Sequence, residues 1–256
     1  GALLALSKPP GLPIVGRPGD LSLDALLPAL RRRLGLAAEL HVVKAPAREY
    51  SGLVLLSSCY HTTKKLQEFF TTARWRGQYP ATYRAITVGV PAEVEGEIST
   101  GLCWQQQGDR AMVRGCRWAG GTGGSPGSAE GCALQVVPVP APGRRSLARK
   151  DVKSTLTRYR VLSAVGGCAL LQLQPKTAFP EQLQVHLTLL LCPALGDHKH
   201  SARVGRVLGV PFLLSPESAP SRTQVLDEEL LSRLGLSPRQ LHHLPLHIHL
   251  QELLLP

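Results

Sequence analysis

The chain has 256 residues, 43% of them hydrophobic, with a mean hydropathy of +0.01, which suits a soluble globular fold with a well-buried core. No run reaches the ~18 apolar residues of a bilayer-crossing helix; the most apolar stretch, Leu187 to Leu195, is short and contains Pro193. Lys and Arg number 29 against 18 Asp and Glu, and a net charge of +11 favours a polyanionic partner, nucleic acid above all, although an Arg-preferring coding sequence produces the same excess without one.

In chain order, Leu3 to Leu6 reads as a short strand. Ser7-Lys8-Pro9-Pro10-Gly11-Leu12-Pro13 reads as a rigid turn, because proline fixes φ and glycine releases it. Leu21 to Leu36 has the spacing of an amphipathic helix, with Leu23, Leu26, Leu27, Leu30 and Leu34 on one face and Arg31, Arg32 and Arg33 at its C-terminal end. His41 to Val43 and Gly52 to Leu56 are predicted strands, joined by the loop Lys44 to Ser51. Thr62 to Trp75 is predicted helical, with Leu66, Phe69, Phe70 and Ala73 along one face, and Thr82 to Val88 a strand. Residues 94–137 read as an excursion of short strands.

Two segments, 115–131 and 138–149, are rich in Gly and Pro and are expected to be flexible. The first lacks the Gly-Lys-Ser/Thr and helix start of a phosphate cradle. Tyr159 to Leu162 and Ala169 to Leu173 are predicted to pair around Gly166-Gly167 as a hairpin. Helices are expected over Glu181 to Leu191 and over Asp227 to Leu234, the latter stopped by Gly235, with a last strand from Leu246 to Leu254. Strands and helices that do not alternate regularly indicate an α+β fold.

The six cysteines, Cys59, Cys103, Cys116, Cys132, Cys168 and Cys192, contain no C-x-x-C pair and are expected to be thiols in a reducing compartment. His242, His243, His247 and His249 have no Asp or Cys at ligand spacing, so no metal site is expected; His198 and His200 read as a polar loop. The chain opens on Gly1 without Met, so address information is missing from these residues rather than negative.

Five segments in order carry a resemblance. LALSKPPGLP from Leu4 resembles an opening strand and "NKPxGxxV" turn. VKAPAREYSGLVLL from Val43 resembles "VHRLDRDTSGLLLL". YPATYRAITVG from Tyr79 resembles "KxYxAxVxG". KTAFPEQLQVHLTLLLCPALGD from Lys176 resembles "TGRTHQIRVHLxxxGxPIxGD". LHIHLQELLLP from Leu246 is similar to "LHAxxLxFxHP". These are the motifs of RluA-type RNA pseudouridine synthases, and the chain looks most like the animal mitochondrial proteins with that domain. The resemblance implies one domain over residues 1–256, with a central mixed, largely antiparallel sheet flanked by helices. It also implies an enzyme that flips a uridine out of RNA and needs no cofactor or metal. In that family an Asp carboxylate starts cleavage of the glycosidic bond, an Arg pairs with it, and a Tyr packs on the base.

At the matching positions this chain departs from the pattern. Ala47 stands where the resemblance places the catalytic Asp, Gln184 where it places the partner Arg, Ala45 at the Arg of "HRLD", Lys44 at its His, and Glu181 at the first His of the fourth segment. Ala81 replaces the Lys beside Tyr83, and Phe179 replaces a second Arg. Tyr83, Gln182, Val185 and His186 are kept. A methyl group can be neither nucleophile nor base. Removal of both members of an ion pair is expected where loss of one would bury a lone charge.

Two readings follow. One is an RNA-binding pseudoenzyme or assembly factor of the mitochondrial matrix. It would bind mitochondrial mRNA or rRNA through Lys44, Arg48, Tyr83, Lys64, Lys65, Arg74 and Arg76 and meet other mitochondrial RNA-processing proteins. The other is an active synthase that uses a substitute acid, Glu49 being the one acid in the loop. Against each residue stands a plainer role: strand packing for Tyr83, a solvated helix face for the Lys and Arg residues, an exposed ion partner for Glu49.

Overall fold

The computed structural model describes residues 2–17, 19–107, 133–139, 152–220 and 222–256. Segment 115–131 therefore lies outside the described residues. So does most of 138–149, although Pro138 and Val139 close a strand.

The strands are β1 (Leu3–Lys8), β2 (His41–Lys44), β3 (Ser51–Ser57), β4 (Ala81–Val88), β5 (Glu95–Gln107), β6 (Ala133–Val139), β7 (Lys153–Val165), β8 (Cys168–Pro175), β9 (Val204–Val207), β10 (Val210–Leu213) and β11 (Ile248–Leu253). The helices are α1 (Leu23–Arg33), α2 (Tyr60–Trp75), α3 (Gln182–Leu189), α4 (Glu228–Leu234) and α5 (Pro238–Leu241). Nine strands form one sheet in the order β1-β3-β11-β4-β8-β7-β5-β6, with β2 beside β3. Only β3 and β11 run parallel, so the sheet is mixed and largely antiparallel, as expected.

The run Gly52 to Leu56 has no polar alternation because β3 is covered on both faces. Val54 and Leu56, both 0% exposed, pack with Leu23 and Leu27 of α1, while Leu55 packs with Leu66 and Phe70 of α2. Leu183 and Leu187 of α3 join Tyr83, Leu171, Leu173, Ile248 and Leu250 in the largest core cluster. A buried leucine contributes about 1.5–3 kcal/mol, so these helices are held by the sheet more than by their own propensity.

Several boundaries differ from expectation. α1 starts after Ser22, whose hydroxyl accepts from the Ala25 N–H, and it leaves Leu26 and Leu34 of the expected apolar face exposed. Among the described residues of 94–137, β6 begins at Ala133 and β5 is a single 13-residue strand, longer than the short strands expected. Gly96 hides its alternation: the Tyr159 ring lies 3.0 Å from where a Cβ would stand, so glycine makes room for a cross-strand aromatic. The Gly166-Gly167 hairpin forms as predicted, with longer arms. Asp227 and Gly235 cap α4 at its two ends. The β9–β10 hairpin and α5 were not predicted. Among the described residues no helix is long and apolar enough to cross a membrane.

Candidate functional site

A cavity of about 140 Å³ opens where the β2–β3 loop, α2, β4 and the approach to α3 meet. Lys44 ends β2, Ala47 and Tyr50 come from the loop after it, Phe70 and Arg74 from α2, and Ala81 and Tyr83 from β4. Thr177, Ala178, Phe179, Pro180, Glu181 and Gln182 close the remaining side.

The loop at its wall is tied to the N-terminal turn. Lys8 is 1% exposed, and its ammonium donates to the carbonyls of Pro9 (3.1 Å), Leu12 (2.9 Å) and Arg48 (3.0 Å). The Gly11 N–H reaches the same Arg48 carbonyl at 2.8 Å, and Arg48 Nε donates back to the Gly11 carbonyl. The Tyr50 N–H closes the loop onto the Ala47 carbonyl at 3.1 Å. The proline-rich turn thus holds the loop that presents Ala47.

Tyr50 and Tyr83 meet edge to face, with ring centroids 6.1 Å apart. Burial pushes the Tyr83 phenol up to about 12, with Arg74 pulling the other way, so it is a neutral O–H at ordinary pH. Tyr50, raised well above the usual range by burial and by the Tyr83 phenol, donates to Gln184 Oε1 at 3.3 Å. Gln184 in turn donates to Asp197 Oδ1 at 3.5 Å. Asp197 is 1% exposed; Oδ1 also accepts the Lys199 and His200 N–H groups, while Oδ2 has no partner among the described residues. A buried acidic side chain, Asp197, therefore lies beside Gln184.

Glu181 is the only carboxylate among the described residues that line the cavity. It stands in the left-handed region (φ 57°), an uncommon conformation for a residue with a Cβ. Its oxygens are bridged to Lys199 and to fully buried His200, 2.8 Å for the latter. Burial pushes its carboxyl up, but the hydrogen bonds from His200 and Lys199 outweigh that and leave it below the usual value.

Gln182 and His186 face the sheet. Gln182 accepts from Thr177 Oγ1 and donates to Thr157 Oγ1 and the Leu156 carbonyl. The Thr155 hydroxyl donates to the Thr100 carbonyl, so His186 Nε2 donates to Thr155 Oγ1, 2.9 Å away. This leaves His186 Nδ1 unprotonated, buried and without a partner among the described residues. Protonation would place an N–H there with no acceptor, and burial accordingly lowers the imidazole from 6.5 to about 4. The unfolded chain takes up this proton first as the pH falls through 6.5. Stability is therefore full above 6.5 and is lost progressively down to about 4, by on the order of 3 kcal/mol for this group. Urea unfolding at pH 7.5 and 4.5 checks it: His186→Gln should show a smaller loss than the parent across that interval.

The family model for RNA pseudouridylate synthase matches residues 2–189. The chain belongs to that family. It is 48% identical to mitochondrial mRNA pseudouridine synthase Rpusd3 of Mus musculus, over 100% of this chain and 68% of that protein. The human protein of the same name is 49% identical, with 66% of its length covered. Pseudouridylate synthase RPUSD4, mitochondrial, of Rattus norvegicus is 32% identical over 99% of this chain and 60% of that one. The chain thus spans about two thirds of the length of these mouse and human relatives. Among solved structures, Human RNA Pseudouridylate Synthase Domain Containing 4 superposes with a TM-score of 0.66 at 28% identity, covering 97% of this chain and 78% of that one.

Within this synthase fold the expected site residues separate. Lys44, Ala47, Arg74 and Tyr83 share the cavity; Gln184 lies beneath it, bonded to Tyr50. Glu49, the substitute acid of the alternative reading, is exposed and is not among the residues lining the cavity. Arg48 is exposed and tied to the N-terminal turn. Lys64, Lys65 and Arg76 are exposed on or just after α2, outside the cavity, with Lys64 5.1 Å above the Tyr60 ring. Among the described residues no cluster of His, Cys, Asp and Glu is arranged to hold a metal. His249 instead bonds Ser51 Oγ through Nδ1, and His198 Nε2 bonds the Leu244 carbonyl. Glu181 was compared with a family histidine but not anticipated as a wall of the cavity. The Lys199 and His200 that orient it lie 18 and 19 residues further along the chain, a distance no local pattern bridges.

Proposed function

We propose that this chain binds RNA and seats one pyrimidine nucleotide in the cavity without isomerising it. The observation that carries this reading is Ala47: a methyl group lines the cavity at the position where the resemblance places the catalytic aspartate. A volume of about 140 Å³ suits a single six-membered ring, since an apolar cavity of roughly 150 Å³ takes benzene. Tyr83 supplies an aromatic wall for the base. The relatives' names support mitochondrial mRNA as the target and the mitochondrion as the location.

One observation favours a second reading, an active synthase. Glu181 is kept ionised beside the same space, and a carboxylate is what the family chemistry requires. Its two oxygens are already engaged by Lys199 and His200, which is why we place this reading second.

Filter binding and pseudouridine mapping on uridine-containing mitochondrial transcripts separate the two. The expected result is RNA binding with no turnover, in the parent and in Glu181→Gln alike. Turnover that disappears in Glu181→Gln would establish the second reading, and loss of all RNA binding would overturn the first.

A further inference from the structure

We propose that Lys44 and Arg74 form a phosphate site in the cavity wall, holding the phosphate of the same nucleotide whose base lies on Tyr83. This rests on the base-seating reading above and adds the ligand class: a pyrimidine nucleoside 5′-phosphate, free or within RNA.

The two cations converge on Phe70. Lys44 Nζ lies 5.9 Å above its ring centroid, within cation–π range, and Arg74 Nε donates to its carbonyl at 3.0 Å. Among the described residues neither is bridged to a carboxylate. The Lys44 ammonium and the two terminal nitrogens of Arg74 have no hydrogen-bond acceptor there either. Glu181, the one acid among the described residues lining the cavity, is turned to Lys199 and His200. Burial and then Arg74 both disfavour the charged form of Lys44, which is what two like charges close together and unneutralised produce.

An unpaired cation pair in a half-buried wall is costly, and an anion relieves it. The free Arg74 fork fits two phosphate oxygens, and Lys44 adds a point charge beside it. Arg74 and Tyr83 line the same cavity, and the guanidinium also lowers the Tyr83 phenol against the effect of burial. Base and phosphate positions are therefore contiguous, as they must be for one nucleotide.

Titration calorimetry with uridine, uridine 5′-monophosphate, ribose 5-phosphate and inorganic phosphate tests the site. The monophosphate should bind roughly tenfold or more tightly than uridine, a preference weakened by salt. Lys44→Met and Arg74→Met should each weaken binding of the monophosphate far more than binding of uridine, so that the preference is lost. Both variants should melt no lower than the parent in phosphate-free buffer, because each relieves a like-charge contact; inorganic phosphate should raise the parent's melting temperature more than theirs. Equal binding of uridine and its monophosphate would overturn the phosphate site and leave the base reading intact. Equal binding of the monophosphate and ribose 5-phosphate would overturn the base reading instead. Binding of none of the four would overturn the site.

Discussion

Gly52→Ala is expected to lower stability by about 4 kcal/mol or more, enough to leave most of the protein insoluble. Gly52 sits at φ +125°, where a side chain is strained in any surroundings. Here the surroundings are worse, because an added Cβ would lie 2.4 Å from both the N and the O of Leu250. Those atoms belong to β11, which runs parallel to β3 at this point with Leu250 opposite Gly52. The strand cannot retreat easily, since its other edge pairs with β4 and Leu250 is fully buried. Gly77→Ala provides the comparison. Gly77 also has positive φ (+78°), but nothing lies within 4 Å of its missing Cβ, so only the backbone term of about 1–2 kcal/mol should appear. Soluble yield and urea midpoints of the two variants check the difference. A Gly52→Ala protein as stable as Gly77→Ala would mean the β3–β11 junction yields far more than its burial implies.

That junction also shows what a sequence can and cannot reveal here. Ser51-Gly52 lies within the segment that resembles "VHRLDRDTSGLLLL", and the loop before it presents Ala47 to the cavity. Glycine at 52 is a matter of backbone approach between strands about 200 residues apart, which no local pattern announces. The Gly166-Gly167 hairpin and the capped α4 were legible because their signals are local: two glycines at positive φ, an Asp before the first turn, a Gly after the last. The β9–β10 hairpin was not. Its tip, Leu208-Gly209, places a leucine at φ 50° and 99% exposed, against the usual preference for Asn or Asp. The cavity was half legible. Tyr83 and the loop followed from ordered motifs, whereas the Glu181–His200 contact and the lone Oδ2 of Asp197 depend on a turn at 196–200 whose position only the tertiary fold sets.

Lys8→Met is expected to cost about 3 kcal/mol and to lower the melting temperature by roughly 6–12 °C. The methionine nearly fills the volume but leaves the Pro9 and Leu12 carbonyls without their Lys8 donor, each worth about 1–3 kcal/mol when left dry. The Arg48 carbonyl keeps the Gly11 N–H, so the loop is loosened rather than released. This makes a functional consequence separable from unfolding. Well below its lowered melting temperature the variant should retain the parent's circular dichroism yet bind uridine 5′-monophosphate and RNA several-fold more weakly, because Ala47, Tyr50 and Lys44 no longer share one fixed wall. Lys8→Arg should not restore binding: a planar guanidinium cannot point three donors at three carbonyls from the space of an ammonium that is 1% exposed. Unchanged nucleotide affinity in Lys8→Met would mean that the pairing of β2 with β3 alone positions the loop, and that the buried lysine serves stability only.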